Sequence, residues 1–146
     1  MGKTNFKPSD ELVRKVKEFE GLRLKAYYCP AGYQTIGYGH RTTSRDKTVL
    51  TMAEATQLLK DDLTKAGDSV NALDVCKTQG QYDALTDFVF NLGIGRLKQS
   101  TLLKLVKYTA PTHLIQKEFK KWVYAGGNVM PGLVTRRAWD AERWAE

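Results

Sequence analysis

Glu20, Cys29 and Thr35 place a carboxyl, a thiol and a hydroxyl nine and then six positions apart, in the stretch EGLRLKAYYCPAGYQTIGYGH that runs from Glu20 to His40. Such a set could serve acid-assisted displacement at a glycosidic bond. That chemistry needs one acid to protonate the leaving oxygen, and a second group to attack the anomeric carbon or to hold a water against it. Glu20 suits the first role if its environment favours the protonated form. Cys29 with Thr35 could supply the second. A thiol is an unusual choice, because its neutral form stabilises positive charge poorly and its ordinary pKa of about 8.5 leaves little thiolate at neutral pH.

The flanking elements must bring these groups together. Pro8-Ser9-Asp10-Glu11 reads as a helix start, with Ser9 as N-cap and two acids in the first turn. Leu12, Val13, Val16 and Phe19 continue it as an apolar stripe at helical spacing, and Gly21 is a fitting stop. Glu20 then sits in the last turn, at the negative end of the helix dipole, where partial burial would also favour its protonated form. Read without its neighbours, Glu20 is better explained as a solvated residue at a frayed helix end.

From Lys25 the period changes to two. Tyr33, Thr35, Gly37 and Gly39 fall on one face, and Gln34, Ile36, Tyr38 and His40 on the other. Pro30-Ala31-Gly32 is a turn joining this run to Ala26-Tyr27-Tyr28-Cys29. Gly37 and Gly39 suggest a bulge or a close approach of backbone to ligand.

The rest of the chain reads as helices. Thr51 to Glu54 is a capping box opening an amphipathic helix with Ala55, Leu58, Leu59, Leu63 and Ala66, and Asp62 lies beside that stripe. Thr78 to Gln81 reads as a second capping box, before the most apolar helix of the chain, through Tyr82, Leu85, Phe88, Val89 and Leu92. Gly93-Ile94-Gly95 should end it. Further helices are expected over 100–108 and 112–124, the latter with Ile115, Phe119 and Trp122 on one face. Ala125-Gly126-Gly127-Asn128 reads as a loop, and Pro131 suits the first turn of a last helix carrying Trp139 and Trp144. The fold class is α+β and mostly α. A small hairpin lobe, roughly residues 20–50, should adjoin a larger helical lobe, with a cleft between them, in one domain spanning residues 1–146.

Composition narrows the function classes. A chain of 146 residues, 42% hydrophobic and 27% charged, can bury a core. No apolar run reaches the length of about 18 residues needed for a membrane span, and the N-terminal stretch lacks the apolar region of a secretory signal. Cys29 and Cys76 are the two cysteines; free thiols in a reducing compartment are expected. His40 and His113 lie far apart, so no metal site is expected, nor any cofactor. The net charge of +7 fits either a solvated basic surface or a polyanionic partner. No nucleic-acid motif accompanies it.

Residues FEGLRLKAYYCPAGYQTIGYGH, with their Glu20-x8-Cys29-x5-Thr35 spacing, resemble the active-site segment of phage-type, T4-like lysozymes of glycoside hydrolase family 24. The resemblance continues through 81–85, 88–93, 100–102, 122–127 and 131–137. It implies a lysozyme-like fold and hydrolysis of the β-1,4 bond between N-acetylmuramic acid and N-acetylglucosamine in peptidoglycan. By position, Glu20 would be the general acid, and Cys29 would stand where an aspartate is found in T4 lysozyme. Cys29 and Thr35 would position the attacking water. His40 and Asp62 would form a structural pair, one of Arg136 and Arg137 would hold Glu20, and Phe90 and Asn91 would line the cleft. An endolysin of this kind would be a monomer that accumulates in the host bacterial cytoplasm and reaches the periplasm and cell wall after holin action, with holin an indirect partner. Two other readings are a wall-binding module without catalysis and a basic helical nucleic-acid binder. The cysteine at position 29 speaks for the first, but Glu20, Thr35 and the glycine-rich hairpin speak against it; the second offers no account of the Glu20 to Thr35 spacing.

Overall fold

A computed structural model of the chain describes residues 5–28, 34–42 and 49–146. It shows an α+β, mostly α, fold. Helix α1 (Asp10–Glu20) is followed by strands β1 (Arg23–Tyr28), β2 (Gln34–Gly37) and β3 (His40–Arg41), then by helices α2 (Met52–Leu73), α3 (Gln79–Leu92), α4 (Ile94–Lys98), α5 (Thr101–Lys107) and α6 (Thr112–Phe119). A short pair, β4 (Tyr124–Ala125) and β5 (Asn128–Val129), precedes the last helix, α7 (Pro131–Trp144). Among the described residues, no helix is long and apolar enough to cross a membrane.

The start of α1 follows the local chemistry. Ser9 accepts from the Leu12 N–H, Asp10 and Glu11 occupy the first turn, and Gly21 ends the helix at φ 69°. Its stripe of Leu12, Val13 and Val16 is buried against Ala55, Leu59 and Leu63 of α2 and against Tyr38. Leu12 and Val16 are fully buried, each worth about 1.5–3 kcal/mol of transfer free energy. The helical core gathers around α3, where Phe88 meets Phe119 and Trp122 edge-on at 6.3 and 5.2 Å between ring centroids. Gly67 of α2 leaves a notch for the Tyr82 hydroxyl, which would lie 1.8 Å from any added Cβ.

Several boundaries differ from the sequence reading. The run from Gln34 to His40 is not one strand. It breaks at Tyr38-Gly39 into a turn, giving an antiparallel three-stranded sheet in the order β1-β2-β3. Thr35, Ile36 and Gly37 are all buried, with β2 lying between β1 and β3 and packed against α2, so the strand is not divided into a wet and a dry face as a period-two pattern would have it. The Pro30-Ala31-Gly32 turn and Tyr33 lie outside the described residues, but Tyr28 pairs with Gln34 across it.

At Thr78 only half a capping box forms. Its hydroxyl accepts from the Gln81 N–H, while the Gln81 side chain accepts from the Lys77 N–H at 2.8 Å instead. Gly93 ends α3, but Ile94 and Gly95 already belong to α4. Helix α6 stops at Phe119, so Trp122 reaches the core from outside the helix. The 125–128 loop is the turn of the β4–β5 hairpin, with Gly126 and Gly127 both at positive φ (58° and 81°), as a two-residue turn of the primed type requires.

Candidate active site

Glu20 ends α1 and is held from below. Its Oε1 accepts a hydrogen bond from Arg136 Nη1 of α7 at 2.7 Å, and its side chain keeps 24% of its surface exposed. Of the two adjacent arginines, Arg136 makes this contact. Above the carboxyl lies the β2–β3 turn, where a Cβ on Gly39 would stand 2.9 Å from Glu20 Oε2. The close approach expected of Gly37 and Gly39 is therefore to the protein's own side chains. Gly39 faces Glu20, and Gly37 faces Leu50 and Ala55.

Thr35 sits in β2, paired with Tyr27 on one side and Arg41 on the other. It is buried, and its Oγ1 has no hydrogen-bond partner among the described residues. Cys29 lies outside the described residues. His40 Nδ1 and Asp62 Oδ2 are 2.7 Å apart, joining β3 to α2 beside the turn that covers Glu20.

The two cleft-wall candidates on α3 are also tied to α7. Phe90 is half-buried and packs with Leu22, Leu50 and Trp139 against the α1–α2 core, and its ring lies 5.9 Å from the Arg136 guanidinium. It is as much a core residue as a wall. Asn91 accepts a hydrogen bond from Arg137 Nη2 at its Oδ1, at 2.6 Å. A guanidinium has only donors, so this contact turns the Asn91 oxygen inward and leaves its amide N–H groups for another partner.

Beneath these residues is a buried ionic layer that the sequence reading missed. Asp87 of α3, fully buried, accepts from Arg136 Nε and Nη2 at 3.1 and 2.7 Å. Arg137, also fully buried, has Nη2 3.8 Å from Asp87 Oδ2 and Nε 3.2 Å from Asp140 Oδ2. Burial opposes the charge on each group. For Asp87 that effect is outweighed by the charge and hydrogen bonds of Arg136 and by the charge of Arg137, so its carboxyl is held below the usual range. Burial and the neighbouring Asp87 push Asp140 well above it. Arg136 is raised because Asp87 and Glu20 overcome the cost of burial; for Arg137 burial wins and the shift is downward. The signal for Asp87 was an acid in the middle of the most apolar helix, which requires a buried partner. Cys76, by contrast, has its thiol pushed up to about 12 by burial alone.

The profile of the phage lysozyme family matches residues 17–140 of this chain. The chain is 42% identical over 130 residues to an endolysin of Bacillus phage PZA, a match covering 86% of this chain and 50% of that protein. It is 39% identical over 130 residues to an endolysin of Acyrthosiphon pisum secondary endosymbiont phage 1, covering 84% and 86%. The chain thus spans about half the length of the Bacillus phage relative and most of the other. Among solved structures, the muramidase domain of SpmX from Asticaccaulis excentricus superimposes with a TM-score of 0.85 at 34% identity, over 96% of this chain and 98% of that one.

Proposed function

The chain belongs to the phage lysozyme family, and from that premise we propose that it is a T4-like muramidase of glycoside hydrolase family 24. It hydrolyses the β-1,4 bond between N-acetylmuramic acid and N-acetylglucosamine in peptidoglycan. The observation that carries this reading is Glu20, partly exposed at the end of α1, gripped by Arg136 and covered by the Gly39 turn.

In the proposed reaction, Glu20 protonates the glycosidic oxygen as the bond to the anomeric carbon breaks. A water held by Thr35 and Cys29 attacks that carbon from the opposite face with inversion, and loses a proton to solvent; Glu20 is then reprotonated. The unpartnered Thr35 hydroxyl supports its part, since a buried polar group calls for a water or ligand where the protein offers none. Asn91 offers N–H donors to a sugar or N-acetyl oxygen, with Phe90 beside it. The His40–Asp62 pair fixes the strand that follows Gly39. The domain works as a monomer on the walls of a phage host, which it reaches from the cytoplasm once a holin has opened the membrane.

Release of reducing ends from purified peptidoglycan by the wild type, Glu20→Gln and Cys29→Ser tests this. Glu20→Gln should lose about 10²–10⁴-fold in rate with its fold intact. A Glu20→Gln protein as fast as wild type would overturn the reading and leave a wall-binding module as the better account. A glycosyl adduct on Cys29 in an intact-protein mass spectrum would replace water positioning by covalent catalysis.

A further inference from the structure

The net charge is not spread over the molecule. The stretch from Gly93 to Lys121 holds seven of the 23 lysines and arginines and one of the 16 acids, so it carries six of the seven net positive charges. These residues form α4, α5, α6 and their connections. The apolar sides of the three helices, with Leu97, Leu102, Val106, Ile115 and Phe119, are buried in the helical core. Arg96, Lys98, Lys104 and Lys107 stand exposed on α4 and α5. Lys117, Lys120 and Lys121 do so at the end of α6 and just beyond it.

Helix dipoles account for part of this, since Arg96, Lys98, Lys104, Lys107 and Lys117 lie in last turns. The same dipoles call for acids in first turns. Helices α1 and α2 have them, and α4, α5 and α6 have none. Elsewhere the surface interleaves its signs, as Arg14 with Glu18 and Arg143 with Glu146 show. Among the described residues, one ion pair falls in this stretch, Lys121 with Glu118. The face also carries exposed apolar surface on either side of the corner between α5 and α6, where Tyr108 keeps 81% of its surface and Leu114 40%.

We propose that the α4–α6 face is a docking surface for an anionic lipid bilayer. Six of its seven cations are lysines, compact hydrated charges without the fork with which arginine grips a single phosphate. Spread over three helices, they suit a layer of many like charges better than one anionic group. Tyr108 has the amphipathic ring that settles where headgroups meet acyl chains, and Leu114 adds an aliphatic side chain across the corner. A strand of nucleic acid would instead call for arginines and stacked rings along a groove. The docking is peripheral, because no helix among the described residues is long and apolar enough to cross a membrane. Glu20 and Thr35 belong to α1 and β2, so this docking is independent of the hydrolytic reading.

Co-sedimentation with vesicles tests this, with phosphatidylglycerol mixed into phosphatidylcholine against phosphatidylcholine alone. The protein should bind the anionic vesicles and leave the neutral ones at about 0.1 M salt, where charges still act over about 10 Å. K104Q/K107Q/K117Q/K120Q removes four exposed charges from the face. It should weaken binding about 10²–10³-fold, at about fivefold per charge. K7Q/K60Q/K65Q/K77Q removes the same charge from exposed positions elsewhere and should stay within about tenfold of wild type. Thermal unfolding checks that both variants fold. Equal losses in the two would reduce the effect to bulk charge and overturn the proposal, as would absence of binding to the anionic vesicles. Stronger binding of purified peptidoglycan or duplex DNA through the same four lysines would overturn it as well. Tyr108→Ser should weaken binding to the anionic vesicles, and an unchanged affinity would overturn the assignment of lipid as the occupant.

Discussion

Gly39 lies so close over Glu20 that a methyl group at its Cα would stand 2.9 Å from the carboxylate oxygen Oε2. With φ at 78°, the residue is also in the region that side chains disfavour. Gly39→Ala should therefore cost about 1–2 kcal/mol of stability from the backbone alone. The greater effect should be on rate. A displaced Glu20 would lose about 10²-fold in hydrolysis, as misplacement of a reacting group by an ångström does. Thermal unfolding and reducing-end release measured on the same preparation check this; a variant that loses stability and keeps its rate would refute it.

Arg136 and Arg137 are neighbours in sequence with different tasks. Arg136→Leu strands Asp87 without its bidentate partner in a fully buried position. Removal of one partner from a buried pair of this kind costs about 3–5 kcal/mol, which urea unfolding would measure. Arg136→Lys should recover only part of that, since an ammonium cannot serve Asp87 along one edge and Glu20 from another nitrogen. Full recovery in the lysine variant would contradict the divided guanidinium.

Asp140 makes stability depend on pH with a definite sign. Its folded form keeps the proton well above the ordinary carboxylate range, while the unfolded chain releases it near the ordinary value. The stability it contributes is present below the unfolded value and is lost as pH rises towards the folded one. Asp140→Asn carries no such loss. The variant should thus gain on the wild type by up to about 1.4 kcal/mol per pH unit above roughly pH 4. Urea unfolding at pH 5 and pH 8 reads the gap, and a gap that does not change with pH would refute the assignment. Asp87 acts in the opposite sense, because its depressed carboxyl withdraws stability only in acid.

Thr35→Val separates stability from activity. The hydroxyl is buried and unpartnered among the described residues, and an unmet buried polar group costs about 1–3 kcal/mol. Valine has nearly the same shape, so Tm should hold or rise while hydrolysis falls. An unchanged rate would remove Thr35 from the site.

Much of this arrangement was legible from local signals. Ser9, Thr51 and Gly21 mark helix ends through interactions within a few residues of themselves, and the structure places those ends where the signals put them. The short β4–β5 hairpin was read as a loop because its strands have two residues each, too few to show a period. The break at Tyr38-Gly39 was hidden for a different reason. Gly39 is needed there by a carboxyl nineteen positions earlier, and no local pattern carries that demand. Asp140 falls in the same class, since next to Arg137 on its own helix it looks like an ordinary helical acid; Asp87 stood out within the most apolar helix, but nothing local named its partners on α7. The choice of Arg136 over Arg137 for Glu20 likewise turns on one residue's rotation around α7, which spacing alone does not resolve.

Helix α1 is fastened to the helical body at both ends. Ser9 bonds Asp83 and Glu11 meets Arg143 at its start, and Glu20 meets Arg136 at its finish. Thr35 instead travels with the sheet. The Glu20 carboxyl and the Thr35 hydroxyl are thus mounted on different parts, and the gap between them is set by how the sheet seats on α2, where His40 meets Asp62, rather than by either residue's own anchor.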